Sequence, residues 1–153
     1  MDRAALQRVD LSACLDSTVT MLSPKLGGIE VVRAYDDVPD IEVHAAELNQ
    51  VWTNLIDNAL DAMGGDGILR LATRLDGDDV VVEITDTGPG IPPEVLDRVF
   101  EPFCTTKDVG SGTGLGLDIS RRIVIERHGG RIDFESRPGS TAAVVRLPRQ
   151  REV

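Results

Sequence analysis

Aromatic side chains are scarce: 3% of the 153 residues, with one Trp, one Tyr and three Phe. The core must therefore be aliphatic, and 41% hydrophobic residues suffice for one domain of ordinary size. Basic residues are also in short supply. Sixteen Lys and Arg against 26 Asp and Glu leave a formal charge of −10. Nucleic acid and anionic membrane surfaces both need a basic footprint, so neither is expected as a partner. An anionic ligand would have to be held locally, by backbone N–H groups, a lysine or a metal ion. The two cysteines, Cys14 and Cys104, make no disulfide framework and read as free thiols in a reducing compartment. No apolar run approaches the roughly 20 residues needed to cross a bilayer, and no signal peptide is visible. The expectation is a soluble, cytoplasmic chain without direct membrane contact, whose parent protein could still be tethered to a membrane.

The hydrophobic pattern that is present predicts an α/β chain. Residues 1–26 read as helical, with Asp10 able to cap the start and Leu11, Leu15, Val19 and Leu22 on one face. Strands are expected at Ile29–Tyr35 and Ile41–Val43. The strongest helix spans 45–63, where Leu48, Val51, Trp52, Leu55, Ile56, Ala59, Leu60 and Met63 recur at helical spacing before Gly64-Gly65. Asp76-Gly77 between two apolar runs predicts a hairpin of strands 68–75 and 80–86. Pro92-Pro93 opens a short helix to about Val99, a longer helix runs from Leu115 to His128, and a second hairpin turns at Arg137–Ser140. Two hairpins alternating with helices lack the rhythm of a doubly wound parallel sheet. The pattern predicts a two-layer α+β sandwich, with a mixed, mostly antiparallel sheet and helices on one face.

Three constellations could carry chemistry. Gln50, Asn54 and Asn58 stack four apart beside the apolar face of the 45–63 helix. Asn is costly inside a helix, and a carboxamide oxygen can serve Mg²⁺ when phosphates supply the remaining charge; a solvated helix face accounts for the stripe equally well. Asp86 ends a strand whose Val80, Val82 and Ile84 share its face, so its carboxylate should be partly buried and in need of donors. An exocyclic purine amine is one such donor, and Gly88 and Gly90 would let a planar base approach; a tight turn is the plainer explanation of those glycines. Gly110, Gly112, Gly114 and Gly116 alternate just before a helix, with Lys107 upstream, a pattern suited to phosphates though different from a P-loop. The acidic run Asp76, Asp78, Asp79 is explained by its hairpin. His44 and His128 have no metal-ligand spacing with either cysteine, and Cys104 lacks a nearby histidine base.

Taken in order, these stretches resemble the boxes of the sensor histidine kinase catalytic domain. Asn54-Leu-Ile-Asp-Asn58-Ala resembles the N box, Asp86-Thr-Gly-Pro-Gly90 the first glycine box, Phe100-Glu-Pro-Phe103 the F box, and Gly112-Thr-Gly-Leu-Gly-Leu117 the second glycine box. Thr105-Thr106-Lys107 is similar to the nitrogen-regulatory branch. The resemblance covers about residues 10–148 and implies the Bergerat fold of the gyrase, Hsp90, histidine kinase and MutL group. It implies ATP and Mg²⁺ as ligands, with Asn58 on the metal and Asp86 on the adenine amine. Gly88, Gly90 and Ile91 would line the base pocket, and Thr141 would reach the adenine through water. Lys107, Gly112, Thr113, Gly114, Leu115, Gly116 and Leu117 would handle the phosphates, the stretch from Cys104 to Gly114 acting as a mobile lid.

Asn54 and Lys107 would act in catalysis. In hydrolysing members of the group a glutamate holds the position of Asn54, and a carboxamide is no general base. Hydrolysis should be slow and ATP kept for transfer. Asp61 stands where many relatives carry a basic residue, which would leave more of the phosphate neutralisation to Lys107 and Mg²⁺. The phosphoacceptor histidine, which in the family precedes an acidic residue, has no match: His44 is followed by Ala-Ala and His128 by Gly-Gly. The resemblance therefore implies an ATP-binding domain over 24–153, with residues 1–23 as a linker from a separate dimerisation and phosphoacceptor domain. Its partners would be that domain and, indirectly, a response regulator. A serine/threonine kinase of the anti-sigma-factor type, or a nucleotide-binding regulatory module without transfer, are the competing readings.

Overall fold

The computed structural model describes residues 6–101 and 116–149. In chain order, strand β1 (Leu6–Val9) leads to helix α1 (Leu11–Met21) and, after a 3-10 turn at Ser23–Lys25, to β2 (Gly28–Tyr35), β3 (Ile41–His44) and α2 (Ala45–Met63). Then come β4 (Asp66–Asp76), β5 (Asp79–Asp86), α3 (Pro93–Leu96), α4 (Gly116–Arg122), a π-helical turn (Ile123–Arg127), β6 (Arg131–Arg137) and β7 (Ser140–Pro148). Five strands form one sheet in the order β2-β4-β5-β7-β6. Only β2 and β4 pair in parallel; the others pair antiparallel. This is the mixed, mostly antiparallel sheet that the pattern predicts.

Period-two alternation gives the sheet its buried face. Val80, Val82, Ile84 and Asp86 of β5 point to that face, opposite Leu147, Val145, Ala143 and Thr141 of β7, and all eight are buried. Leu69 and Leu71 of β4 continue the rows opposite Asp86 and Ile84. α2 lies over β4 and β5 and buries Leu48, Val51, Trp52, Leu55, Ile56, Ala59, Leu60 and Met63, the full set read from the sequence. Gly64 then ends it in the left-handed conformation at φ 62°, its N–H bonded to Leu60 C=O at 3.2 Å.

The N-terminal segment differs from its expectation. Helix begins only at Leu11, because Asp10 accepts hydrogen bonds from Ser12 N–H at 3.0 Å and Ala13 N–H at 3.5 Å. Residues 6–9 form β1 instead, antiparallel to β3, with Leu6 opposite His44 and Val9 opposite Ile41. α1 packs against α2 and β4, placing Leu11, Leu15 and Val19 in the same apolar cluster as Trp52 and Leu71. Asp16 ties α1 to β2 through Arg33 Nε at 2.7 Å and the Tyr35 hydroxyl at 2.9 Å.

Two other helices are shorter than expected. α3 ends at Leu96. Beyond α4 the backbone widens into the π turn, where the His128 ring meets the Ile123 carbonyl and Gly130 N–H bonds Val124 C=O at 2.9 Å. Among the described residues no helix is long and apolar enough to cross a membrane.

Leu15→Ala should lower unfolding stability by about 2–5 kcal/mol in urea denaturation. An unchanged midpoint would mean that α1 is not part of the domain core.

Candidate functional site

The buried face turns polar at one end, and the candidate site begins there. Asp86, Thr141 and Ser136 are cross-strand neighbours in one row over β5, β7 and β6. Asp86 is 5% exposed. Among the described residues its only hydrogen bond comes from Gly88 N–H to Oδ1 at 2.9 Å, and no cation pairs with it. Burial pushes its carboxyl above the usual aspartate range, against the smaller opposing pull of the Gly88 N–H. A carboxylate held this way accepts donors strongly.

The loop after Asp86 is held on both sides. A Cβ at Gly88 would lie 3.0 Å from the Ala62 carbonyl, so this glycine lets the loop rest on the end of α2. Gly90 has φ 92°, and a Cβ there would meet the Arg137 carbonyl at 2.4 Å, so the loop also abuts the β6–β7 hairpin. Ile91 N–H donates to Ser136 Oγ at 2.7 Å. Ser136 Oγ also lies 2.9 Å from Thr141 Oγ1. The structure thus gathers Asp86, Gly88, Gly90, Ile91 and Thr141 at one end of the sheet.

α2 supplies the second part. Asn54 and Asn58 are half-buried on its stripe beside the apolar face. Asn54 Nδ2 donates to the buried Ser120 Oγ of α4 at 3.2 Å, so α4 touches the asparagine stripe of α2 directly. The solvated-face explanation of the stripe does not cover this contact. Asp57 and Asp61 both hold Lys25 Nζ, at 2.7 Å for Asp61, so a lysine from the turn after α1 offsets the acidic charge at that end of the helix. Asn58 carries a carboxamide, a group whose oxygen can serve as a ligand for a phosphate-bound Mg²⁺. Gly116 opens α4 and Leu117 is half-buried against the core. Lys107, Gly112, Thr113, Gly114, Leu115 and Cys104 lie outside the described residues.

Neither histidine is placed to receive a phosphoryl group. His44 is 8% and His128 3% exposed, and their rings meet edge to face at 5.3 Å. His128 Nε2 accepts from His44 N–H at 3.0 Å, which leaves Nδ1 to donate to the Ile123 carbonyl at 3.0 Å. Both ring nitrogens thus bond the backbone, joining β3 to the π turn. In the same region Arg127 makes a two-pronged pair with Glu47, Nε–Oε1 at 2.8 Å and Nη2–Oε2 at 3.1 Å. Of the acidic turn, Asp76 pairs with Arg146 at 2.8 Å.

A sheet with helices on one face thus ends in a buried carboxylate, with an asparagine-bearing helix beside it. Residues 43–151 match the family described as histidine kinase-, DNA gyrase B-, and HSP90-like ATPase, and the chain belongs to that family. It is 37% identical over 138 residues to the sensor histidine kinase ZraS of Escherichia coli K12, covering 88% of this chain and 29% of that protein. It is 36% identical over 146 residues to the sensory histidine kinase/phosphatase NtrB of Escherichia coli O157:H7, covering 87% of this chain and 41% of that protein. The catalytic domain of histidine kinase ThkA superposes with a TM-score of 0.85 at 29% identity, over 94% of this chain and 95% of that one. ThkA has also been solved with the response regulator protein TrrA. The chain thus spans well under half the length of the two kinases it matches.

Sequence reasoning missed Ser136 and Ser120. Ser136 carried the same signal as Asp86, a polar residue closing the apolar alternation Ile132, Phe134 on its strand. Ser120 carried none that a single helix shows.

Burial of the Asp86 carboxylate should cost stability in the free protein. Its folded pKa is raised, so its protonated form favours folding, and that contribution is lost as pH rises through the folded pKa. Asp86→Asn keeps an oxygen for Gly88 N–H and carries no charge. Without nucleotide it should resist denaturant better than wild type at pH 7, the gap closing toward about pH 4. A variant less stable at pH 7 would contradict an uncompensated buried carboxylate.

Proposed function

We propose that this chain is the ATP-binding catalytic unit of a sensor histidine kinase. It would bind Mg-ATP and pass the γ-phosphoryl group to a histidine on a separate dimerisation and phosphoacceptor domain, from which a response regulator takes it. One observation carries the reading: the buried Asp86 carboxylate which, among the described residues, has a single backbone donor and no cation, at the end of an apolar face. The adenine amine is a neutral, planar-directed donor that such a carboxylate accepts without burying a second charge. Asp86 would bond that amine, while Gly88, Gly90 and Ile91 shape the wall on which the ring lies. Asn58 would hold Mg²⁺, which when bound would neutralise charge on the phosphates.

The transfer is a direct displacement. The acceptor imidazole nitrogen attacks the γ-phosphorus, the bond to the bridging oxygen breaks, and ADP leaves with that electron pair. The chain's part is positioning. Asn54 bears a carboxamide held against Ser120 and has no basicity with which to draw a proton from water. This supports slow hydrolysis and retention of ATP for the acceptor. The burial and backbone bonding of His44 and His128 support an acceptor from outside this chain. Lys107 and the glycine loop through Gly116 would close over the phosphates, and residues 1–23 would lead from the acceptor domain.

Titration calorimetry with Mg-ATP tests the pocket. Asp86→Asn should weaken binding by about tenfold or more, in line with the loss of a charged hydrogen bond. Asn58→Ala should abolish the Mg²⁺ dependence of affinity. Unchanged affinity in the first, or surviving metal dependence in the second, removes the corresponding role. With labelled ATP and an added phosphoacceptor domain, the product should be acid-labile, as phosphohistidine is. An acid-stable label would indicate a serine/threonine kinase, and no label a binding module.

A further inference from the structure

We propose that Ser136 is a positioning residue for nucleobase recognition, an inference that rests on the nucleotide reading above. Three observations converge on its hydroxyl. It accepts the Ile91 N–H at 2.7 Å, which ends the loop that begins at Asp86. It lies 2.9 Å from Thr141 Oγ1. Thr141 in turn stands directly across from Asp86 on the buried face. Neighbouring side chains in such a pair are about 5 Å apart at Cβ, so a ligand group bonded to Asp86 lies beside the Thr141 hydroxyl.

A serine hydroxyl has one proton and two acceptor sites. Ile91 takes one acceptor site. If Ser136 donates to Thr141, the Thr141 proton is left to point toward the pocket. If Thr141 donates to Ser136, its lone pairs face the pocket. In either arrangement Ser136 sets what Thr141 presents to the base edge. The same hydroxyl pins the far end of the loop at Ile91, while Gly139 N–H bonds the Pro89 carbonyl at 3.4 Å and the Arg137 carbonyl lies against Gly90. The β6–β7 hairpin thus acts as a clamp on the base pocket, and Ser136 is its one side-chain anchor among the described residues. Ser136 itself need not touch the base.

The test compares wild type, Ser136→Ala and Ser136→Thr by calorimetry with Mg-ATP and Mg-GTP, alongside amide hydrogen exchange of Ile91 in the free protein. Ser136→Ala should lower the preference for ATP over GTP by about three- to tenfold, the value of one neutral hydrogen bond. It should also speed Ile91 exchange while leaving the urea midpoint close to wild type. Ser136→Thr keeps the hydroxyl on a strand that favours β-branched residues and should restore both. An unchanged preference in Ser136→Ala, or Ile91 exchange that does not respond, overturns the proposal with nucleotide binding intact. Wild type that binds neither nucleotide overturns the functional reading, and this proposal with it. Should Ser136→Ala fail to fold, Ile91 still decides: a rapidly exchanging amide in the wild type means the anchor does not exist.

Discussion

The structure depends on one unfavourable placement. A carboxylate, Asp86, closes the buried face of a sheet otherwise made of Val80, Val82, Ile84, Leu69 and Leu71. Among the described residues a single N–H donor meets that charge, and burying a carboxylate so sparsely satisfied is unfavourable. Around it the chain is arranged to keep the group fixed yet leave it an acceptor. The strand sets its direction, Gly88 brings the loop against the end of α2, and the hairpin of β6 and β7 holds the loop's far end. Local strain or uncompensated polarity that the surroundings hold in place points to function, and the site at this end of the sheet follows from it.

α2 unites stability and chemistry in one element. One face, with Trp52 and Leu55 at its centre, forms the middle of the core between sheet and α1. The adjoining stripe carries Asn54, Asn58 and Asp61. Side chains on so firmly packed a helix are held in fixed positions. α4 touches this stripe through Ser120 and Asn54, and its continuation is locked by the His44–His128 pair and by Glu47–Arg127. The asparagine stripe therefore rests on two helices that are bonded to each other.

Much of this was legible in the sequence because the signals were long or chemically unusual. The 45–63 helix had five turns of apolar recurrence and a Gly-Gly stop, and it spans Ala45–Met63. Asp86 stood out because period two places it unambiguously with Val80, Val82 and Ile84. β1 was illegible for the opposite reason. Four residues, Leu6–Val9, carry too short a pattern to separate strand from helix, and their conformation is set by pairing with β3, more than thirty positions away. The π turn is likewise a tertiary effect, in which a histidine ring and a glycine pair capture carbonyls that an α-helix would use. Ser120 and Ser136 act through contacts with α2 and the Ile91 loop, which no spacing within their own segments encodes.

The central claim is that Asp86 receives the nucleobase. A crystal structure of this chain with Mg²⁺ and a non-hydrolysable ATP analogue tests it most directly. The account predicts the adenine amine within hydrogen-bond distance of the Asp86 carboxylate, the ring beside Gly88 and Gly90, and the metal on the Asn58 carboxamide. A base bound elsewhere, with Asp86 still holding only the Gly88 N–H, would contradict it.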